Sequence, residues 1–383
     1  MKNISKILAL ALALLLAATL FISCDSTSDG DTDTTPVSGT ENATDTSDGA
    51  ESGGETSSLD GTDTETSSSG SGSSSGSGSS STNQASVGLN YQDNNDGTCS
   101  IVGRGTCTDT RIVIPSTING LKVTSIGKFA FEMVSDLTEV VIPEGVTSIG
   151  NQAFSQCSAL VSVQLPESLV ELGTIAFGHC TSLTTINLPG KLTAIPASAF
   201  STCTSLTSVT IPNSVTSIDR MAFVDCTALK EVRFGTGLTF IGKSAFNTCT
   251  ALESIALPDS LETMDEYAFF GCTSLKSVTL GNGLKDLGRM AFSECSALES
   301  IEIPAKVTEI KEDAFYHCTS LASVTLPAGI TDFGWRAFAE CTSLTDIHFA
   351  GSQDDWGNIS KCSDWDDQNE HYTVHCSDGD IVK

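Results

Sequence analysis

Nine cysteines fall 23 residues apart, at Cys157, Cys180, Cys203, Cys226, Cys249, Cys272, Cys295, Cys318 and Cys341. Thiols can form disulfides, ligate metal or act as nucleophiles, and spacing discriminates among these roles. Metal ligation needs close pairs whose side chains converge on a tetrahedron, and a straight row does not converge. Disulfides need facing Cβ atoms. If each cysteine sits on one of a series of stacked coils, neighbouring Cα atoms come within reach. The side chains nevertheless all point the same way, and nine is odd. The row therefore reads as reduced thiols buried as small apolar groups, with scattered disulfides as the alternative.

Other chemistry-bearing residues are few. Cys99 and Cys107 stand beside the turn run Asn94-Asn95-Asp96-Gly97, and Cys362 and Cys376 lie near the C-terminus; each pair reads as a disulfide or as two free thiols. Cys362, His371, His375 and Cys376 are zinc-ligand types, but their spacing matches no zinc pattern. Asp364, Asp366, Asp367 and Glu370 lack the glycine and ligand order of an EF-hand loop. His179 and His317 stand six coils apart and cannot cooperate. The sequence carries no phosphate loop, zinc-protease pair or nucleophile elbow. No enzyme, cofactor, metal site or small-molecule substrate is expected.

The elements that position the cysteines repeat with them. An Ala-Phe pair precedes each one and a leucine follows three residues later, as in Ala222-Phe223, Cys226 and Leu229. Ten such pairs run from Ala130-Phe131 to Ala337-Phe338. In the unit that starts at Leu206, residues 206–211 read as a short strand with Val209 and Ile211 on one face. Pro212 ends it, because proline cannot donate to a ladder. Residues 215–218 read as a second extended piece, and residues 219–225 as a turn or single helical turn that drops Ala222 and Phe223 into the core. One coil cannot bury its apolar face alone, so the coils must stack as a solenoid.

The recurring form Pro-x-x-[Val/Leu]-x-x-Ile-Gly-x-x-Ala-Phe-x-x-Cys-x-x-Leu resembles the BspA-like subclass of leucine-rich repeats of bacterial surface proteins. The resemblance covers residues 87–383. It implies an α/β, β-dominated, right-handed leucine-rich-repeat solenoid with a parallel β-sheet on its inner face. About ten coils are expected, capped by residues 87–127 (with the first strand) and 345–383. The closing segment, with Trp356 and Tyr372 to Gly379, resembles the family's own. Departures are local: Val134 replaces the first cysteine, Gly235, Gly281 and Ala350 replace the proline, and Asp219, Asp265 and Lys311 replace the turn glycine.

Residues 1–24 read as an export signal, with Lys2 and Lys6 before an apolar run that closes on Cys24. That ending resembles a lipoprotein processing box, with Cys24 as the lipidation site and membrane anchor. Residues 25–86 are dominated by Ser, Thr, Gly, Asp and Glu, and read as a disordered tether with a mean span of about 45 Å. Residues 1–24 contribute +2 and the tether, with twelve acidic and no basic residues, −12, so −18 falls on residues 87–383 of the formal −28. Such charge argues against nucleic acid as a partner.

The solvent face of the main sheet is small and polar. The turn edge is less bland: Met221, Val224, Tyr267, Phe270, Met290 and Tyr316 replace the usual small or polar residues there, and Trp335 extends the row. Aligned exposed apolar groups mark interaction sites, so these seven form the candidate protein-binding site, with sideways packing against the neighbouring turn as the other reading. The family resemblance implies a monomeric, outer-membrane-anchored adhesin at the cell surface, binding host extracellular-matrix proteins such as fibronectin, or other bacteria. The alternative is a periplasmic or envelope scaffold.

Overall fold

The computed structural model describes residues 84–383. The stretch read as an export signal, with Cys24, and the stretch read as a tether, up to residue 83, lie outside the described residues. The described part is β-dominated, with one six-residue α-helix, Gln353–Asn358.

Each coil contributes a three- or four-residue strand to a parallel face ladder. In Ser208–Thr210 the central Val209 is buried and its neighbours face outward, which is the alternation expected of a half-buried strand. Pairing follows the 23-residue ruler: Ser208 aligns with Thr185 on one side and Glu231 on the other. Nine repeat strands run from Glu139–Val141 to Ser323–Leu326, and the caps add Arg111–Val113, Asp346–Phe349 and Thr373–Cys376. The column thus holds twelve strands. The last two are followed by no Ala-Phe pair, so counting those pairs finds only ten. The second extended piece appears as two-residue strands, such as Ser217–Ile218 paired with Phe240–Ile241.

The turn edge forms a third ladder. The amide of Phe154 donates to the Ala176 carbonyl at 2.8 Å, and that of Phe177 to Ala199 at 2.9 Å. Two residues per coil adopt left-handed backbone, one before the alanine and one before the cysteine, as at Met221 (φ 57°) and Asp225 (φ 58°). Left-handed backbone costs a non-glycine residue about 1–2 kcal/mol. Those residues donate inter-coil bonds that offset the cost, Met221 to Lys243 and Asp225 to Asn247, both at 2.9 Å.

Inside the turn edge the ten phenylalanines stack in a single column. Neighbouring ring centroids lie 5.1–5.8 Å apart with interplanar angles of 3–10°. Beside it runs the cysteine row. Each thiol donates to the carbonyl of the phenylalanine one coil back, at 3.1–3.3 Å. The same carbonyl accepts the amide three residues on in its own coil, as from Cys226 to Phe223. Val134 fits this rule, because the cap beneath it offers no such phenylalanine.

The caps finish the ladders. An antiparallel hairpin, Asn90–Asp93 with Thr98–Gly103, closes the two-residue ladder at the N-terminal end. A second, Thr373–Cys376 with Gly379–Val382, closes the face ladder at the C-terminal end. Ser86 also belongs to the folded part, its amide donating to Val113 at 2.8 Å. At the last coil, Trp365 lies edge-on to Phe338, and Asn369 Nδ2 donates to the Phe338 carbonyl at 2.8 Å. An asparagine thus stands in for the missing next cysteine.

All thirteen cysteines among the described residues are free. Cys99–Cys107 and Cys362–Cys376 are therefore thiol pairs here and not disulfides. Burial pushes the repeat thiols up, to about 12 at Cys226, Cys272 and Cys341, so they are protonated donors and poor nucleophiles.

Two outcomes are expected. Phe246→Ala should cost about 3–5 kcal/mol and loosen the neighbouring coils, read by chemical denaturation; an unchanged transition would contradict the stacked register. A thiol reagent followed by peptide mass mapping should label the exposed Cys362 and half-buried Cys376 first, and the repeat row only in denaturant.

Candidate interaction site on the turn edge

The 23-residue register places the seven candidate residues in three adjacent columns. Met221, Tyr267 and Met290 occupy the left-handed position before the alanine. Val224, Phe270 and Tyr316 occupy the position after the phenylalanine, and Trp335 stands two before the alanine. Exposure divides them. Met221 (43%) and Trp335 (42%) are exposed, whereas the other five are half-buried and tuck in part against neighbouring turns.

The aromatic members fall into two clusters. In the first, Tyr267 meets Phe270 edge-on at 5.8 Å. Lys243 and Arg289 stand 5.6 and 5.9 Å from the Tyr267 ring centre, and Arg289 donates to the Tyr267 hydroxyl at 3.1 Å. Both cations also pair with carboxylates one coil on, Lys243 with Glu266 at 2.8 Å and Arg289 with Glu312 at 3.2 Å.

The second cluster is tighter. The Arg336 guanidinium lies 3.8 Å from the Trp335 ring centre and 4.5 Å from that of Tyr316. It pairs with the buried Asp313 at 2.8 Å. Burial raises the Asp313 carboxyl against the opposing pull of Arg336. Trp335 Nε1 donates to Asp364 at 3.1 Å, and the Tyr316 hydroxyl to Glu340 at 3.0 Å. Burial and Glu340 together push the Tyr316 phenol up to about 12. The arrangement holds an exposed indole in one orientation, and rigid aromatic anchors beside arginine are what protein interfaces use as hot spots.

Asp313 and Arg336 were not among the sequence candidates. They stand 23 residues apart in the left-handed column, so their pairing was readable from the register. Phe129 (46% exposed) and Met133 (65%) extend the apolar edge to the first coil; they occupy its two left-handed positions, so the register marks them too.

The strand face ends in an ionic cluster. His348 and His375 stack at 4.9 Å. His375 Nε2 lies 2.9 Å from Asp346, and its Nδ1 lies 3.1 Å from Asp380. Hydrogen bonds to Asp346 and then Asp380 raise the His375 pKa, and Asp346 is lowered in return. His375 thus ties the closing hairpin to the strand Asp346–Phe349. Among the described residues, no group of three or more His, Cys, Asp or Glu is arranged to hold a metal ion.

Comparison with known proteins was made against this geometry. The family described as "BspA type Leucine rich repeat region" matches residues 124–253 and 239–360, in six copies. A leucine rich cell surface protein from Faecalibacterium prausnitzii is 25% identical, with a TM-score of 0.41, over 73% of this chain and 98% of its own. The T. pallidum leucine rich repeat protein is 30% identical, with a TM-score of 0.42, over 55% of this chain and 88% of its own. A leucine-rich repeat protein from Bacteroides ovatus is 23% identical, with a TM-score of 0.33, over 75% and 98%. No curated protein matches.

The His375 bridge sets a pH dependence. Its raised pKa means that the stabilisation is complete below the unfolded value of about 6.5 and is lost as pH rises through the folded value. The melting difference between the protein and its His375→Gln variant should therefore be larger at about pH 5.5 than at about pH 8.5, and an equal difference at both would contradict the bridge.

Proposed function

The chain belongs to the BspA-type leucine-rich-repeat family, and from that premise we propose that it is a surface-displayed adhesin. On this reading its solenoid is a scaffold for protein contact, since stacked repeats build an extended surface. On the same reading the chain is exported, acylated at Cys24, and held away from the outer membrane by the residues between Cys24 and Ser86. Its partners are proteins of the host matrix or of neighbouring bacteria, met by the turn edge of the C-terminal half.

The observation that carries the proposal is the clamp of Trp335, Arg336 and Tyr316. It fixes an exposed indole, so little side-chain entropy is lost when a partner covers it. Met221 offers a second exposed apolar contact on the same edge.

Trp335→Ala and Met221→Ser remove side chains outside the core and should lower melting only slightly. The double variant should bind immobilised fibronectin, or partner cells, about tenfold or more weakly, as loss of one interface anchor implies. Unchanged binding would take the site off the turn edge. Protease shaving of intact cells is the companion measurement. Loss of residues 87–383 from intact cells supports display at the surface, whereas survival until the envelope is opened would favour an internal scaffold.

A further inference from the structure

Two coils replace the proline of the repeat with a Gly-x-Gly run, Gly235-Thr236-Gly237 and Gly281-Asn282-Gly283. Both runs drop onto the loop of the preceding coil. A Cβ at Gly281 would stand 2.1 Å from the Pro258 carbonyl oxygen, and one at Gly283 would stand 2.1 Å from that of Asp259. No side chain fits in either place.

The face ladder opens beside both runs. Glu231–Arg233 and Ser254–Ala256 do not pair and belong to separate sheets. Ser277–Thr279 meets Ser300–Glu302 only at Ser277 and Ser300, whereas Ser300–Glu302 aligns three residues with the next strand.

The chain fills the two openings differently. At the first, Phe234 folds in and meets Phe246 edge-on at 5.7 Å. At the second, Leu280 holds the same repeat position, and a crevice of about 300 Å³ stays open. It is lined by Val278, Thr279, Leu280, Asn282, Glu302 and Pro304. Val278 is the central residue of its strand, and it is only half-buried where the other repeat strands fully bury theirs.

We propose that this crevice is a docking pocket for an aromatic side chain of a partner protein. The molecule supplies the precedent, because two coils earlier an aromatic ring stands at the same repeat position, beside the equivalent opening, and packs against Phe246. Val278, Leu280 and Pro304 provide the apolar floor. The exposed Glu302 makes no ion pair among the described residues and can accept from the partner's backbone amides beside the ring. The volume lies at the lower end of the range of ligand pockets, about 300–1,000 Å³, which suits one inserted side chain. The pocket lies on the strand face, so it stands whether or not the turn-edge site does.

The test is a methyl NMR titration of the full chain with N-acetyl-L-phenylalanine methylamide, and with the alanine analogue as comparator. The phenylalanine probe should shift the Val278 and Leu280 methyls, at about tenfold or more lower concentration than the alanine probe, as burial of one aromatic side chain implies. Leu280→Phe should fill the pocket from within, leave melting unchanged or raised, and abolish the response. Absent shifts, equal response to both probes, or a response that survives Leu280→Phe would overturn the proposal. So would concentration-dependent self-association that Leu280→Phe removes, since it would make a second copy the occupant. The probe comparison uses the unaltered chain and decides the matter even should the variant misfold.

Discussion

Each phenylalanine carbonyl from Phe154 to Phe315 accepts two donors, the amide of the cysteine in its own coil and the thiol of the cysteine in the next. This pair of bonds ties the coil spacing to the ring stack beside it. The thiol fills the acceptor site that the amide leaves open on a buried carbonyl, so the cysteine serves as a donor and not only as a filler of volume. The left-handed backbone on either side of the Ala-Phe pair is held by the same ladder. Loss of register in one coil would unpair carbonyls, unstack rings and release strained residues together, so the register carries the fold.

The ends obey the same constraint. Below the first repeat there is no phenylalanine, and Val134 takes the place of a cysteine. Above the last no cysteine stands in register, and Asn369 donates instead, while Trp365 covers the final ring. The cap cluster of Phe333, Phe349, Trp356, Trp365 and Tyr372 turns the stack into a closed apolar end. A repeat array needs such an end, because its terminal coil would otherwise present core to water.

Much of this was legible in the sequence, and the reason is periodicity. The ruler from Cys157 to Cys341 placed the thiols, rings and strands in columns, because a fixed period repeats one contact many times. The contacts that occur once were not legible. Asn369 lies in a segment without the repeat, and nothing in its neighbours marks it as the donor for Phe338. The last two strands, Asp346–Phe349 and Thr373–Cys376, lack the Ala-Phe pair by which coils are counted. At the candidate site, the columns told which residues share an edge. They did not tell that Tyr267 and Tyr316 lean inward over cations while Trp335 stays out. That choice depends on Arg289, Arg336 and Asp313, whose side chains reach across coils. The crevice at Leu280 was equally hidden, because a leucine and a phenylalanine read alike as core positions until the width of the opening is known.

Native-state hydrogen exchange, resolved to single amides across residues 84–383, tests the central claim most directly. The turn edge has no regular helix or strand, and by appearance alone its amides should exchange like those of a loop. The account instead places the amides of Phe154, Phe177, Phe200, Phe223, Phe246, Phe269, Phe292 and Phe315 in an inter-coil ladder. They should be protected as strongly as the central strand amides of the same coils, with protection falling toward the two caps. Rapid exchange at these phenylalanines, with the strand amides protected, would mean that the strands hold the solenoid together and the cysteine-phenylalanine register merely accompanies them.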